Sequence, residues 1–553
     1  MSDALSIVIA QFNPVVGDIP GNITKIEAIR RGHPSADLIV FPELSVSGYP
    51  PEDLVLKNAF LVSIEEAIAR LIVRTADGGP GLLVGAPWLV EDVRHNAALL
   101  IDGGRLLHTA LKVHLPNYGV FDEKRIFSPG SSRQDAPDFR GVRLGIMICE
   151  DMWLPDVAFN LKDDGAEILL VLNGSPFEIR KRGARLAHAK RRVVGTGLPL
   201  IYVNQVCGQD ELVFDGGSFV LDGNGEQAHQ LPQWEEKQVR TNWRKGANGW
   251  TPEPGDVAEE QERWEAIYNA LMLGLRDYVG KNRFKGVLLG LSGGIDSALS
   301  AAVAADALGP DRVWCVMMPS PYTSAESLED AKIVADLCGV RLDRIDIAPA
   351  MEAFETMLAP LTGETPPDIA EENIQARSRG LTLMALSNKF GFMVLSTGNK
   401  SEMSVGYATL YGDMCGGYSV LKDVYKTSVF ALSRWRNEHR PKGALGPMGA
   451  VMPERVIIKA PSAELRPNQT DQDSLPPYEL LDHLLERMIE NEAGPEILAA
   501  EDFDPALVRR VFRMLDHAEY KRRQAPPGVK ITSRAFGRDR RYPLVNGFTD
   551  VIG

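Results

Sequence analysis

A chain of 553 residues is too long for one ordinary core and is expected to form two domains. Its 74 acidic against 60 basic side chains leave a formal charge of −14, which argues against general nucleic-acid binding but not against a local anion site built from backbone N–H groups. The five cysteines (Cys149, Cys207, Cys315, Cys338, Cys415) form no CxxC pair, so a reducing, cytoplasmic setting is expected rather than a disulfide framework. MSDALSIVIAQFNP lacks a basic n-region, and no segment approaches the ~18 unbroken apolar residues of a membrane span.

The first half is rich in short apolar runs bounded by turn residues: LSIVIA, DLIVFPE, LLVGAP, AALLID, VRLGIMICED, EILLVLN and LPLIYVNQ. Such runs predict buried strands. Two end in reactive residues, Glu43 and Cys149, and strand ends are where sites collect in layered α/β proteins. Positions 226–258 are polar, with scattered Pro and Gly, and read as a linker or surface crossing with room for one last polar strand. A helix follows, its stripe of Trp264, Ile267, Tyr268, Leu271, Leu275 and Tyr278 reading as plain core packing. GVLLGLS, DSALSAAVAADAL, VWCVMMP, AESLEDAKIVADLC, RLDRIDI, NIQARSRGLTLMALSNKF and FMVLSTG then alternate strand and helix, which predicts a parallel sheet covered on both faces. TGETPPDIAEE near 362–372 and HRPKGALGPMGAVMPE near 439–454 read as mobile.

The strand GVLLGL runs through SGGIDS directly into a helix. Adjacent glycines let successive N–H groups converge on an anion at a helix N-terminus. Ser292 and Ser297 add hydroxyls, and Asp296 adds a carboxylate suited to Mg²⁺. The loop lacks GxxxxGK[ST], so it is not a Walker loop. It resembles the signature of the ATP pyrophosphatase superfamily, which implies that Gly290, Leu291, Ser292, Gly293, Gly294, Ile295, Asp296 and Ser297 bind ATP. ENIQARSRG, STGNKSEMSVGY, YGD, KAPSAEL and HAEYKRRQAPPGVK further on resemble the NAD synthetase family over nearly all of residues 260–540. That resemblance implies ATP contacts at Thr397, Lys426 and Ser462, and Mg²⁺ at Asp296 and Glu402. It implies a deamido-NAD⁺ site at Asn373, Arg377, Glu402, Asp413 and Lys521. Taken alone, Lys426 also reads as a solvated lysine, Arg377 as a polar helix face and Glu402 as a surface acid.

Glu43 in FPELSVSGYP, Lys112 in ALKVHLPNYGVFDE and Cys149 in IMICEDMW make a coherent amide-cleaving set: carboxylate base, ammonium and thiol nucleophile. Glu150 and Asp151 disfavour a thiolate, so Lys112 is expected to lower the Cys149 pKa. Cys207, Cys315 and Cys338 read as buried structural thiols. The three contexts resemble the nitrilase superfamily over residues 5–225, which implies a four-layer αββα sandwich. HLPNYGVFDE resembles the glutaminase domain fused to NAD synthetases, which implies glutamine contacts at Tyr118, Ser175 and Lys181.

The expectation is therefore an α/β chain of two domains. Residues 1–255 form a nitrilase-like glutaminase domain with its linker, and 256–553 a doubly wound, parallel-sheet synthetase domain. By resemblance, the first releases ammonia from glutamine through a Cys149 thioester. The second adenylates deamido-NAD⁺ with ATP and Mg²⁺, and ammonia reaching it by a protected path displaces AMP. Small-molecule substrates, no nucleic acid, no membrane and at least a dimer complete it. A ligase with another acceptor acid and a binding protein with degenerate sites are the alternatives, and ENIQAR, EYKRRQ and the intact motifs weigh against them.

Overall fold

The seven apolar runs of the first half become strands Ala4–Gln11, Leu38–Val40, Gly81–Val90, Val93–Asp102, Val142–Ile148, Ile168–Asn173 and Leu200–Asn204. They belong to a computed structural model that describes residues 3–546 apart from 364, 367 and 502. Contacts divide the chain into two units, Met1–Gln261 and Glu262–Gly553.

In the first unit a seven-stranded sheet runs in the order Gly249–Pro252, Lys237–Gly246, Ala4–Gln11, Leu38–Val40, Gly81–Val90, Val93–Asp102, Arg105–Leu111. A six-stranded sheet carries Val142–Ile148, Ile168–Asn173 and Leu200–Asn204 at its centre. Strand alternation sorts the side chains into layers. Ile7, Ile9, Leu38 and Val40 join Ile146, Ile148, Leu170 and Ile201 in a core between the sheets. Val8, Ala10, Ile39 and Phe41 face the other way, onto Ile26, Ile64 and Ile68 of the helices Ile19–Gly32 and Asn58–Arg74. Met147, Leu169 and Val171 meet Leu161, Ala189 and Val193 of Asp156–Asp163 and Lys181–Thr196. The result is the expected αββα stack.

The 226–258 segment holds more than a crossing. Lys237–Gly246 pairs antiparallel with Ala4–Gln11, from Gln11↔Lys237 to Ala4↔Arg244. Only Thr241 and Trp243 of that strand are buried, which is why its pattern is faint in the sequence. Arg105–Leu111, an edge strand with mixed exposure, was likewise not legible as a strand, yet it delivers Lys112.

In the second unit five strands pair in parallel in the order Arg341–Arg344, Val313–Met317, Val287–Gly290, Met393–Ser396, Tyr418–Ser419. The chain starts in the middle, winds one way, then returns to wind the other. The reversal falls between Val287–Gly290 and Met393–Ser396, and ligands bind beyond the strand ends at such a switch point. Leu288, Trp314, Val316 and Val394 pack on Leu383 and Ile347 at one face. Val287, Leu289 and Cys315 alternate to the other, where the wholly buried row Ala298, Leu299, Ala301 and Ala302 of helix Ile295–Leu308 lies. Helices Tyr478–Ile489 and Pro505–His517 add a helical cluster around Leu484, Leu485, Val508 and Val511.

The two stretches expected to be mobile carry regular structure or fixed contacts over part of their length. The first stretch is helical at both ends: Ala348–Thr362 runs into it, and Ile369–Phe390 begins within it, with Asp368 accepting from the Ala370 N–H. Of that stretch, 364 and 367 lie outside the described residues. The 439–454 stretch is irregular but tied down. Arg436 donates to the carbonyls of His439, Pro447 and Gly449, and Val451 and Met452 are buried. No helix among the described residues is long and apolar enough to cross a membrane.

Candidate active sites

Glu43, Lys112 and Cys149 each stand just past the end of a strand of the first unit, after Leu38–Val40, Arg105–Leu111 and Val142–Ile148. All three are buried. The Lys112 ammonium lies 2.7 Å from Glu43 Oε1 and 2.8 Å from Glu123 Oε1. Glu43 also accepts from Asn96 Nδ2 and from the Gly174 N–H, each at 2.8 Å, so its carboxylate is held from three sides. The turn carrying it lies so close to Gly85 that a Cβ there would stand 2.2 Å from the Leu44 nitrogen.

Cys149 has φ = +47°, a region a side chain rarely occupies, at the sharp turn between its strand and the helical turn Cys149–Met152. Asp151 is the strut of this turn. It accepts from Ile148 N–H at 3.1 Å on one side and from Val113 and His114 N–H at 3.0 and 2.8 Å on the other. The segments that carry Cys149 and Lys112 are thereby pinned to one carboxylate, a role the sequence did not suggest.

Electrostatics corrects one expectation. Burial first, then Glu43, push the Cys149 thiol well above its ordinary pKa, and Lys112 only partly opposes them. The thiol form of Cys149 is thereby favoured, and a base would have to take its proton before the sulfur could attack. Lys112 stays an ammonium: burial would lower its pKa, but Glu123 and Glu43 outweigh burial and hold it well above the usual value. Burial raises Glu123 to about 7.

Glu123 is the main residue that sequence reasoning missed. It stands inside HLPNYGVFDE, and no signal in the sequence marks it: a fully buried lysine calls for more than one carboxylate, but that burial is visible only in the fold. Of the expected glutamine contacts, Ser175 follows Gly174, which bonds Glu43. The Ser175 hydroxyl accepts from Arg185 Nε at 3.0 Å. Tyr118 is exposed and donates to Glu150, the neighbour of Cys149, at 3.0 Å. Lys181 opens helix Lys181–Thr196, its ammonium 5.5 Å from the centre of the Phe121 ring, which in turn lies edge-on to Tyr118. Ser175 and Tyr118 thus stand next to residues that flank Glu43 and Cys149, while Lys181 reaches that group only through Phe121.

In the second unit the 290–297 loop and the 396–402 segment follow the two strands of the switch point. Gly293 has φ = +83°, and a Cβ there would stand 2.2 Å from the Ser327 carbonyl, so only glycine fits. Ser292 and Ser297 bond each other at 3.0 Å and brace the turn into helix Ile295–Leu308. A cavity of about 300 Å³ opens beside the loop. Residues 290–297 line it together with Thr397, Glu402, Asp413, Lys426 and Ser462.

Lys426, 2% exposed, opens helix Lys426–Glu438 and bonds Asp296, with Glu402 Oε1 at 3.1 Å. It is no solvated lysine. Asn399, also unforeseen, joins the two acids: its Nδ2 donates to Asp296 Oδ1 at 2.8 Å, and its Oδ1 accepts from the Glu402 N–H at 3.0 Å. Burial, with Asp296 adding to it and Lys426 opposing, raises Glu402 to about 8. Once Glu402 loses its proton, it and Asp296 are hard oxygen donors of the kind Mg²⁺ takes, with phosphate oxygens and water to complete the set.

Asn373, Arg377, Asp413 and Lys521 come from three distant segments and meet on one loop. Asn373 accepts from Thr409 Oγ1 at 3.0 Å, and Asp413 from the Thr409 N–H at 2.7 Å. Arg377 donates to Leu410 O at 3.2 Å; Lys521 donates to Gly406 O and Ala408 O at 2.7 Å. Asp413 lines the cavity, and the others hold the loop that runs to it.

The NAD synthase family matches residues 267–525 and the carbon-nitrogen hydrolase family residues 7–242. The glutamine-dependent NAD⁺ synthetase of Rhodobacter capsulatus is 49% identical over the whole of both chains. The chain belongs to the glutamine-dependent NAD⁺ synthetase family. The synthetase of Xanthomonas campestris is 45% identical, covering 99% of this chain and 98% of that one. The solved structure of the Acinetobacter baumannii glutamine-dependent NAD⁺ synthetase, in complex with ADP, is 43% identical with a TM-score of 0.78, covering 99% of this chain and all of that one. This NAD⁺ synthetase is thus a carbon–nitrogen ligase that takes nitrogen from glutamine, with its amide-cleaving chemistry in the first unit and its ATP-using chemistry in the second.

Proposed function

We propose that Glu43, Lys112, Glu123 and Cys149 carry glutamine hydrolysis, and that Asp296, Glu402 and Lys426 with the 290–297 loop carry the amidation of deamido-NAD⁺. The observation behind this reading is that residues drawn from separate motifs gather into two tight groups, each beyond strand ends.

In the first unit Glu43 takes the Cys149 proton as the sulfur attacks the glutamine amide carbon. The Lys112 ammonium, kept charged by two carboxylates, stabilises the oxyanion, and Glu123 sets the position of that ammonium. The proton returns from Glu43 to the departing ammonia. Water then opens the thioester and releases glutamate. Tyr118, Ser175 and Lys181 orient the glutamine.

In the second unit a carboxylate is a poor electrophile for ammonia and is first converted to a mixed anhydride with AMP. The 290–297 loop, Thr397, Lys426 and Ser462 hold ATP. Lys426 offsets the charge that builds on the leaving pyrophosphate. Mg²⁺, held by Asp296 and Glu402, would neutralise phosphate charge. The loop 406–413, braced by Asn373, Arg377 and Lys521, presents Asp413 to deamido-NAD⁺. The free thiols fit a cytoplasmic enzyme. Helix Ala348–Thr362 buries none of its residues and exposes Met357 and Leu361, which fits self-association through the second unit.

One pair of variants tests the division of labour. Cys149→Ala is expected to abolish NAD⁺ synthesis from glutamine and to leave synthesis from ammonium salts; Asp296→Asn is expected to impair both. Loss of both activities in Cys149→Ala, or intact ammonia-driven synthesis in Asp296→Asn, contradicts the assignment.

A further inference from the structure

We infer that Arg379 is a further catalytic residue of the amidation reaction, a guanidinium that takes the charge of the adenylyl phosphate. The inference rests on the reading of the second unit as the ATP site.

Arg379 lies two residues beyond Arg377 on helix Ile369–Phe390, so the two side chains leave the helix on different sides. Arg377 is exposed and braces the 406–413 loop. Arg379 is half-buried and lines the cavity. Its Nε donates to the Met318 carbonyl at 3.0 Å, just past strand Val313–Met317, which fixes the plane of the group. Beyond that bond, neither terminal nitrogen has a hydrogen-bond or ion-pair partner among the described residues. The lysines described above are more fully paired: Lys112 and Lys426 have two carboxylates each, and Lys521 has two carbonyls; Arg377 also bonds a single carbonyl, but it is exposed to water.

Burial lowers its pKa to about 10, which still leaves it charged at neutral pH. Holding a charged fork partly out of water with its donors unfilled costs stability, so an anion is the expected occupant. The planar donor pair matches a phosphate bidentately. Position narrows which phosphate. Asp413, on the substrate-side loop, and Glu464, on the 459–465 segment, both act on Arg379 electrostatically without bonding it. The guanidinium therefore stands between the elements read as holding the two substrates. The group that both substrates share is the α-phosphoryl.

In that step a nicotinate carboxylate oxygen bonds to the α-phosphorus. The bond from that phosphorus to the oxygen bridging to the β-phosphorus breaks, and its electron pair leaves on pyrophosphate; no proton moves. The non-bridging α-oxygens carry charge through the transition state while the geometry at phosphorus changes, and a preset donor pair placed for that geometry favours it over the ground state.

Exchange of labelled pyrophosphate into ATP, in the full-length protein with deamido-NAD⁺ and Mg²⁺ but no nitrogen donor, reads this step. Arg379→Met is expected to slow exchange by about 10²–10³-fold, with little change in the KM for ATP and with melting temperature and glutamine hydrolysis retained. Arg379→Lys keeps charge without the fork and is expected to recover part of the rate. Exchange within about threefold of wild type in Arg379→Met overturns the inference. A defect confined to KM, or a lowered melting temperature in both variants, overturns it too, because either makes Arg379 a binding or structural residue. Asp296→Asn in parallel separates the two levels. If it still exchanges, the ATP reading itself fails; if it is inactive while Arg379→Met is not, only the inference about Arg379 fails.

Discussion

The Nζ of Lys112 lies 2.7 Å from Oε1 of Glu43, and both side chains are fully buried. Neither charge is tolerable there alone. Glu123 adds the second carboxylate, and Asn96 and the Gly174 N–H complete the bonds to Glu43. The pair is therefore a unit, in which losing either member strands the other. Lys112→Met is expected to lower glutamine hydrolysis by at least about 10³-fold and to destabilise the protein by about 3–5 kcal/mol. Ammonia-driven synthesis should survive where the fold does. Glutaminase kinetics beside thermal melts check both halves.

Glu123 gives a pH dependence with a definite sign. Its folded pKa, about 7, exceeds the ordinary 4.5 because burial disfavours the carboxylate. The folded state thus holds a proton that the unfolded state has lost. The stability tied to that proton is fully present below pH 4.5 and disappears as pH rises through about 7. Wild type should therefore lose stability relative to Glu123→Gln between those limits. Urea midpoints for both proteins at pH 5 and pH 8 measure it, and an unchanged difference refutes it.

If Ser175 binds glutamine as proposed, Arg185 is the residue that positions it. It is buried, pairs with Asp215 at 2.7 Å, and donates to the Ser175 hydroxyl and to the Ser175 and Pro176 carbonyls. Lysine cannot reproduce that fork. Arg185→Lys should raise the KM for glutamine about tenfold or more while kcat changes less, and should leave the ammonia-driven rate alone.

Removing divalent cations should separate the units. Chelation is expected to stop both glutamine- and ammonia-driven synthesis, because Asp296 and Glu402 are read as the Mg²⁺ ligands. Glutamine hydrolysis should continue, since Lys112 supplies the positive charge at the first site. Glutamate release measured with and without chelator decides it.

The exposed face of Ala348–Thr362 predicts an interface. Leu361 is 86% exposed and Met357 68%. Leu361→Asp is expected to shift the protein toward monomer in analytical ultracentrifugation; an unchanged sedimentation coefficient counts against self-association through this helix.

Motif chemistry was legible because it is local. SGGIDS reads as a strand–loop–helix turn suited to an anion, since two glycines and a following helix N-terminus act within a few residues. The alternation of strand and helix after 286 likewise dictated a parallel sheet. The clusters that make these motifs work are not local. Glu123 joins Lys112 because an edge strand, faint in the sequence, and the loop after it fold back on Glu43. Asp151, two residues from Cys149 and so read as a hindrance to a thiolate, becomes a strut because three N–H groups converge on it.

The sequence, through its motifs and family resemblances, thus determined the two chemistries and their order along the chain. Tertiary structure decided the protonation of Cys149 and Lys112, the pairing of Lys426 with two acids, and the convergence of Asn373, Arg377, Asp413 and Lys521 on one loop. The physical reason is that burial sets the cost of a charge, and burial is a property of the packed chain rather than of any neighbour in sequence.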